Sequence, residues 1–306
     1  MPFTINNADS ANNADNTDGA INNADNADNA DNTAASAHGK YDSLLLRLAS
    51  LKGAVLAFSG GVDSSFLLLA ACDSGIDPLA VTARHPAVAD FEIDMAKKVA
   101  SELGARHVII DLPVMDNVDF ISNSPDRCFH CKRALIRSLS GLAARDGFTC
   151  VIDGTNADDP SDYRPGLKAN DDSGIISPLR EAGLTKDDIR RLSFEKGLTT
   201  WNFPSAPCLA TRLPYGEPIT VEALKMVDKA ESILRNMGFT VLRVRKEKDT
   251  ARIELPAVDI ERAAGVALRG DITAMFREIG FLYVSLDLEG FQSGKMNRAI
   301  KGEQGN

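Results

Sequence analysis

Apolar residues gather into short continuous runs through the middle of this chain and alternate with polar ones toward its end. Ala54–Phe58, Pro78–Thr82, His107–Leu112 and Cys150–Asp153 read as buried strands. Phe66–Ala71, Ala89–Leu103 and Cys131–Ala144 read as helices between them, and Leu44, Leu45, Leu46, Leu48 and Leu51 fit a helix ahead of the first strand. Apolar strands alternating with helices predict an α/β fold, a parallel sheet covered on both faces. Ligands of such sheets sit beyond the carboxyl ends of the strands. That rule puts Ser59–Ser65 and Asp153-Gly154-Thr155-Asn156 on one rim.

After Pro214 the pattern changes. Thr220 is placed to cap a helix running to about Met237, and Gly238 to end it. Thr240–Arg245 and Arg252–Leu255 alternate like a hairpin. Helices at Asp259–Ala267 and around Ile272–Ile279 then lead into a strand, Phe281–Leu286. The prediction is a main α/β domain over 41–214 and a small α+β domain over 215–290 for substrate binding or oligomerisation. Residues 291–306 read as a flexible terminus. Residues 5–33 are a degenerate Asn-Ala-Asp repeat, so 1–40 reads as a disordered acidic tail; few of its side chains can be buried.

Composition narrows the class. An apolar fraction of 44% in 306 residues supports a real core. No apolar run approaches the roughly 18 residues of a membrane span, and no basic-then-apolar start reads as a secretory signal. A cytoplasmic location without a membrane partner is the expectation. A net charge of -9 argues against a long nucleic-acid footprint. Five cysteines, an odd number, argue against a disulfide framework. Cys72 and Cys150 sit in apolar surroundings and read as small buried hydrophobes.

The chemistry concentrates in Ser59-Gly60-Gly61-Val62-Asp63-Ser64-Ser65, between a predicted strand and helix. Glycines let backbone approach a phosphate, and the N–H groups of a first helical turn point at it. Ser59, Ser64 and Ser65 add hydroxyls. A carboxylate beside a phosphate needs a cation between them, so Asp63 suggests magnesium. No Lys stands where the nucleoside-triphosphate P-loop requires one. The string resembles instead the pyrophosphate loop (PP-loop) of ATP pyrophosphatases, enzymes that form an adenylate and release pyrophosphate.

Arg127-Cys128-Phe129-His130-Cys131-Lys132 precedes a helix. Its Cys-x-x-Cys pair suits a redox couple, half a zinc site or half an iron–sulfur site, and a helix start should depress its thiol pKa values. Cys208 lies in a proline-punctuated loop, with Arg212 near enough to favour a thiolate or an incoming anion. His130 reads as a helix-start residue and Trp201 as core or pocket rim. Arg243 and Arg245, two apart on a strand, share a face and suit a phosphate clamp.

Taken together, Ser-Gly-Gly-Val-Asp-Ser-Ser, Asp-Gly-Thr-Asn, Tyr-Arg-Pro-Gly-Leu-Lys-Ala, Ser-Pro-Leu-Arg-Glu-Ala-Gly-Leu-Thr-Lys and Cys-Leu-Ala-Thr-Arg-Leu-Pro-Tyr-Gly resemble the LarE family over about Tyr41 to Leu288. These ATP-dependent sulfur transferases make the thiocarboxylate precursor of the nickel-pincer nucleotide cofactor. The resemblance implies ATP and Mg²⁺ at Ser59–Ser65, with Gly154 and Thr155 on the nucleotide. It implies a homo-oligomer, a small nucleotide substrate and partner proteins of nickel-pincer biosynthesis. It implies a charged cluster of Arg212, Glu231, Arg243, Arg245, Glu254 and Asp259 for substrate phosphate or metal. Cys208 matches a sacrificial sulfur donor. Cys128, Cys131 and Cys208 also match a set that binds a 4Fe–4S cluster in some members, where cluster sulfide replaces protein sulfur. The rival expectations are a tRNA thiolase, an amidating synthetase and a non-enzymatic nucleotide or metal sensor.

Overall fold

A computed structural model describes residues 37–159, 173–204, 207–292 and 294–298. Most of the tail predicted for 1–40 lies outside these residues, as do 299–306 of the predicted flexible terminus. The first helix, α1, spans 37–49. Then come β1 (Val55–Ala57), α2 (Val62–Asp73), β2 (Leu79–Arg84), α3 (Asp90–Glu102), β3 (Arg106–Asp111), α4 (Arg127–Asp146) and β4 (Val151–Asp153). Four strands pair in parallel in the order β3-β2-β1-β4. The expected α/β fold with a parallel sheet is present. Leu56 and Ile152 face a core with Leu44, Leu48, Phe66, Leu67 and Val99, while Val55, Val81 and Val151 face a second layer with Leu139 and Ala143 of α4. Both faces are covered, which is why these strands are continuous apolar runs rather than alternating ones.

Helix α5 (Lys186–Glu195) packs on α2 and starts at a capping box built by Thr185 and Asp188. The C-terminal unit holds α6 (Val221–Asn236), the hairpin β5 (Arg243–Glu247) and β6 (Thr250–Glu254), α7 (Ala257–Ala264), α8 (Val266–Ile279) and β7 (Tyr283–Leu286). Thr220 caps α6 by accepting from the Ala223 N–H at 3.1 Å, and β7 adds to β6 in parallel. Helix α6 belongs to two cores. Ala223, Leu224 and Val227 pack with Leu112, Phe120, Leu209 and Leu213, whereas Ala230 and Leu234 pack with Val244, Ile253, Phe276 and Phe281. No described helix is long and apolar enough to cross a membrane.

Helix α3 meets this seam at its first turn. Phe91 lies under the Arg235 guanidinium at 3.9 Å, and the Asp90 N–H donates to Asp228 at 3.5 Å. Burial pushes the Glu92 carboxyl up to about 7, partly offset by Arg212 and Arg235. A folded-state pKa raised above the unfolded one gives stability that is full below about pH 4.5 and is lost as pH rises through about 7. Glu92→Gln should remove that slope and raise stability at pH 8 by about 2 kcal/mol. Urea unfolding of both proteins at pH 5 and pH 8 measures this; equal pH slopes would refute it.

Candidate active site

Strand β1 ends beneath the serine–glycine loop, and its exit is fixed from below. The Phe58 N–H donates to Val81 O at 2.9 Å, and Thr82 Oγ1 donates to Phe58 O at 2.8 Å. Gly60 turns the chain at φ 72°, and a Cβ there would sit 2.8 Å from the Ala96 backbone of α3. Only glycine meets both demands. Gly61 begins α2 with no side-chain cap, so the N–H groups of the first turn remain available to an anion. Ser59 is exposed, and its hydroxyl lies 3.1 Å from that of Ser64. Ser65, by contrast, is buried with its hydroxyl unpartnered below the loop.

Asp63 does not stand alone. Lys186, at the start of α5, reaches its Oδ2 at 2.7 Å, and Asn156 Nδ2 donates to Oδ1 at 3.4 Å. Lys186 is therefore a resident cation at the cradle, supplied from 123 positions away. Sequence reasoning missed it, although the lysine ends one of the motifs quoted above. Gly154 closes the cradle from β4; a Cβ there would lie 3.0 Å from the Ser64 amide nitrogen. The Thr155 hydroxyl is turned away, donating to Asp153 at 2.9 Å. Asp153 also accepts from Ser177 at 2.8 Å and pairs with Lys132 at 2.9 Å.

Lys132 carries the connection to the cysteines. Helix α4 begins at Arg127 rather than at Cys131, so Cys128, Cys131 and Lys132 all lie in its opening turns. Cys131 and Cys208 pack against one apolar cluster, and Cys128 is close enough for its charge to raise the pKa of both. The three thiols thus lie in one neighbourhood, with Cys128 exposed and the other two half-buried. The depressed pKa values expected for the Cys-x-x-Cys pair are corrected at Cys131, where burial pushes the thiol up to about 12. Burial likewise raises Cys208 to about 11, against the opposing pull of the Ala210 N–H, Arg127 and Arg212. A helix terminus acts over one turn, and apolar packing outweighs it here. His85 also enters this neighbourhood unforeseen. Its Nδ1 accepts from the Ala87 N–H at 3.3 Å, which leaves the proton on Nε2, 3.9 Å from Cys131 Sγ. Burial lowers its pKa to about 4, so the ring is neutral. Among the described residues, no three His, Cys, Asp or Glu side chains form a group able to hold a metal ion.

The arginines predicted for ligands are largely engaged. Arg212 is 2% exposed and grips Glu231 with Nε at 2.7 Å and Nη2 at 3.1 Å. Its Nη1 holds Pro207 O at 2.7 Å and Cys208 O at 3.4 Å, which fixes the Cys208 loop. Arg245 pairs with Glu254 at 2.9 Å, and Arg243 donates to Leu242 O at 2.7 Å. Asp259 pairs with Arg262 of its own helix at 3.5 Å, apart from this network. A cleft of about 610 Å³ opens beside it, lined by Arg245, Arg252, Glu254, Tyr215, Lys295 and Met296 among others. Trp201 lies against α5, edge-on to Phe194 at 5.0 Å. His130 faces Asp119 at 3.4 Å. The Tyr163–Lys168 motif lies outside the described residues.

The model of the queuosine biosynthesis protein QueC family matches residues 53–124, which include the loop and β1 to β3. An uncharacterised Synechocystis protein is 41% identical over 262 residues, 85% of this chain and 98% of its own length. An uncharacterised Methanocaldococcus jannaschii protein is 30% identical over 243 residues, 79% of this chain and 92% of its own. The pyridinium-3,5-bisthiocarboxylic acid mononucleotide synthase of Lactiplantibacillus plantarum is 38% identical over 267 residues, 87% of this chain and 96% of that enzyme. The chain belongs to the LarE family. It is accordingly a PP-loop enzyme, an ATP-dependent sulfurtransferase. For a LarE protein the contact of Gly154 with the loop has a direct cost when filled. Gly154→Ala should push the first turn of α2 aside and weaken ATP binding at least about tenfold. Titration calorimetry with ATP checks this, and an unchanged affinity would contradict it.

Proposed function

We propose that this chain adenylates the carboxylates of pyridinium-3,5-biscarboxylic acid mononucleotide with ATP and replaces oxygen by sulfur. The product is the thiocarboxylate precursor of the nickel-pincer nucleotide. The observation that supports it most is the gathering of Cys128, Cys131 and Cys208 beside the phosphate cradle, joined to it through Lys132, Asp153 and Gly154. A carboxylate is a poor electrophile at neutral pH. Attack of its oxygen on the α-phosphorus of ATP gives a mixed anhydride and frees pyrophosphate. The N–H groups that open α2 and the hydroxyls of Ser59 and Ser64 hold that pyrophosphate. Lys186 balances its charge, and magnesium bound with ATP would be held at Asp63 and neutralise the phosphates further.

The anhydride then has thiols for its neighbours. In the sacrificial route the Cys208 thiolate attacks the carbonyl and expels AMP. Removal of the Cys208 α-proton then breaks its Cβ–S bond. The thiocarboxylate departs with the sulfur, and dehydroalanine remains. The second route draws on a 4Fe–4S cluster with one iron lacking a protein ligand; its candidate ligands are the three neighbouring thiols, since Cys72 and Cys150 pack elsewhere. Such a cluster spreads its ligands over the corners of a cube, so it does not require the close convergence of a single-ion site. Cys128, Cys131 and Cys208 would hold it, and it would supply a sulfide in place of the Cys208 sulfur. A homo-oligomer with other nickel-pincer biosynthesis proteins as partners completes the reading.

One anaerobic turnover with ATP and the biscarboxylic acid mononucleotide tests it, with iron content and the masses of product and protein measured together. About four irons per chain and an unchanged protein mass support the cluster. An iron-free protein that loses the mass of H₂S supports the sacrificial route. No pyrophosphate and no thiocarboxylate would sink the proposal.

A further inference from the structure

Arg127 carries a charge that no carboxylate among the described residues pairs with. It is the first residue of α4 and is 3% exposed. Its Nε and Nη1 are buried without a hydrogen-bond partner. Nη2 meets only the thioether of Met296 at 4.0 Å, and the guanidinium stacks 4.6 Å from the centre of the Tyr215 ring. Among the described residues it forms no ion pair. Its position compounds the problem, because the opening of a helix is the positive end of the backbone dipole. A buried guanidinium without a carboxylate partner is a costly arrangement, and an incoming anion would relieve it.

Its surroundings indicate what arrives. Arg127 adjoins Cys128, and its charge acts on Cys208. The two residues that cover it, Tyr215 and Met296, also line the 610 Å³ cleft. Arg245, Arg252, Lys295 and Arg298 of that lining are already paired with Glu254, Glu247, Asp287 and Glu289, so Arg127 is the cation beside the cleft that has no carboxylate among the described residues. Met296 belongs to a short stretch tied down by Lys295 on Asp287 at 2.6 Å and Arg298 on Glu289 at 2.7 Å.

We propose that Arg127 is a substrate-binding residue that receives the carboxylate due to exchange oxygen for sulfur, after Met296 moves off it. This rests on the carboxylate substrate of the preceding section. The test does not need that substrate. On the full-length chain, freed of iron by chelation, Cys128 is alkylated with anionic iodoacetate and with neutral iodoacetamide, and each rate is read by peptide mass. The ratio of the two rates cancels the reactivity of the thiol and reports recognition of the carboxylate alone. Arg127→Met should lower that ratio about tenfold, and Arg127→Lys should keep most of it. Met296→Ala, which uncovers the guanidinium, should raise it. Because an unpaired buried charge is removed, Arg127→Met should also melt no earlier than the parent chain. A ratio unchanged in both Arg127→Met and Met296→Ala overturns the proposal. If both rates fall together in Arg127→Met, Arg127 serves only as a counter-ion for the thiolates, and the proposal fails. A missing thiocarboxylate product in the turnover experiment would instead count against the proposed reaction and leave this ratio intact.

Discussion

Cys208→Ser is expected to abolish sulfur transfer while pyrophosphate release continues. Serine matches the half-buried cysteine in shape and leaves Cys208's backbone partners undisturbed. Those partners are Thr211, which donates to the carbonyl from N at 2.9 Å and from Oγ1 at 2.8 Å, and Arg212. The loop should therefore keep its course. What disappears is a sulfur that is both nucleophile and donor on one route and a cluster ligand on the other. The expected loss in thiocarboxylate formation is at least about a thousandfold, the scale of removing an activated nucleophile. In the proposed reaction adenylation takes place at the cradle of Ser59–Ser65, so it should persist. Product mass spectrometry beside a pyrophosphate assay separates the two steps. Thiocarboxylate forming at more than a tenth of the normal rate would exclude Cys208 from both routes.

The second large effect is on stability. Glu231 is wholly buried and accepts four hydrogen bonds, two from Arg212, one from Arg235 at 2.8 Å and one from the Val244 N–H at 3.1 Å. Burial alone would raise its pKa, yet the charge and hydrogen bonds of Arg212, with Arg235 and Val244 adding to them, hold it below the usual glutamate value. Glu231→Leu leaves the Arg212 guanidinium buried without a counter-ion, which costs about 3–5 kcal/mol. Replacing both residues by leucine should recover much of that loss, because the penalty lies in the stranded charge rather than in the missing attraction. Arg235 is partly exposed, so Arg235→Ala should cost under about 1 kcal/mol. Urea midpoints for the four proteins decide the matter. A Glu231→Leu loss below that of Arg235→Ala would show the network to be ornamental.

Much of this architecture was legible because it is local. The four strands of the main sheet appear within about two residues of their apolar runs, and Thr220 caps its helix as its side chain allows. The loop at Ser59–Ser65 was legible for the same reason, since glycine spacing and helix onset are neighbours in sequence. The start of α4 was not, because Arg-Cys-Phe-His-Cys carries no apolar period; what it buries is decided by Phe120 and Leu209, far away in the chain. Thiol acidity failed similarly: proximity to a helix start is visible in sequence, and enclosure by an apolar cluster is not. Arg212 looked like a free anion receptor until Glu231, 19 positions on, was seen to hold it. Lys186 at Asp63 and His85 at Cys131 are also meetings of distant segments, with no mark beside either partner to announce them.

Helix α3 links two of these places. Ala96 lies against Gly60 under the nucleotide loop, and Glu92, one turn earlier, lies at the seam with α6. Four residues of helix span only about 6 Å and do not compress. The loop at Gly60 is already in tight contact with Ala96, with no space between them even for a Cβ. The far end of that rod bears on Arg235 and Asp228. The serine–glycine loop and the C-terminal unit thus bear on one rigid element, Ala96 against Gly60 and Phe91 and Asp90 against Arg235 and Asp228.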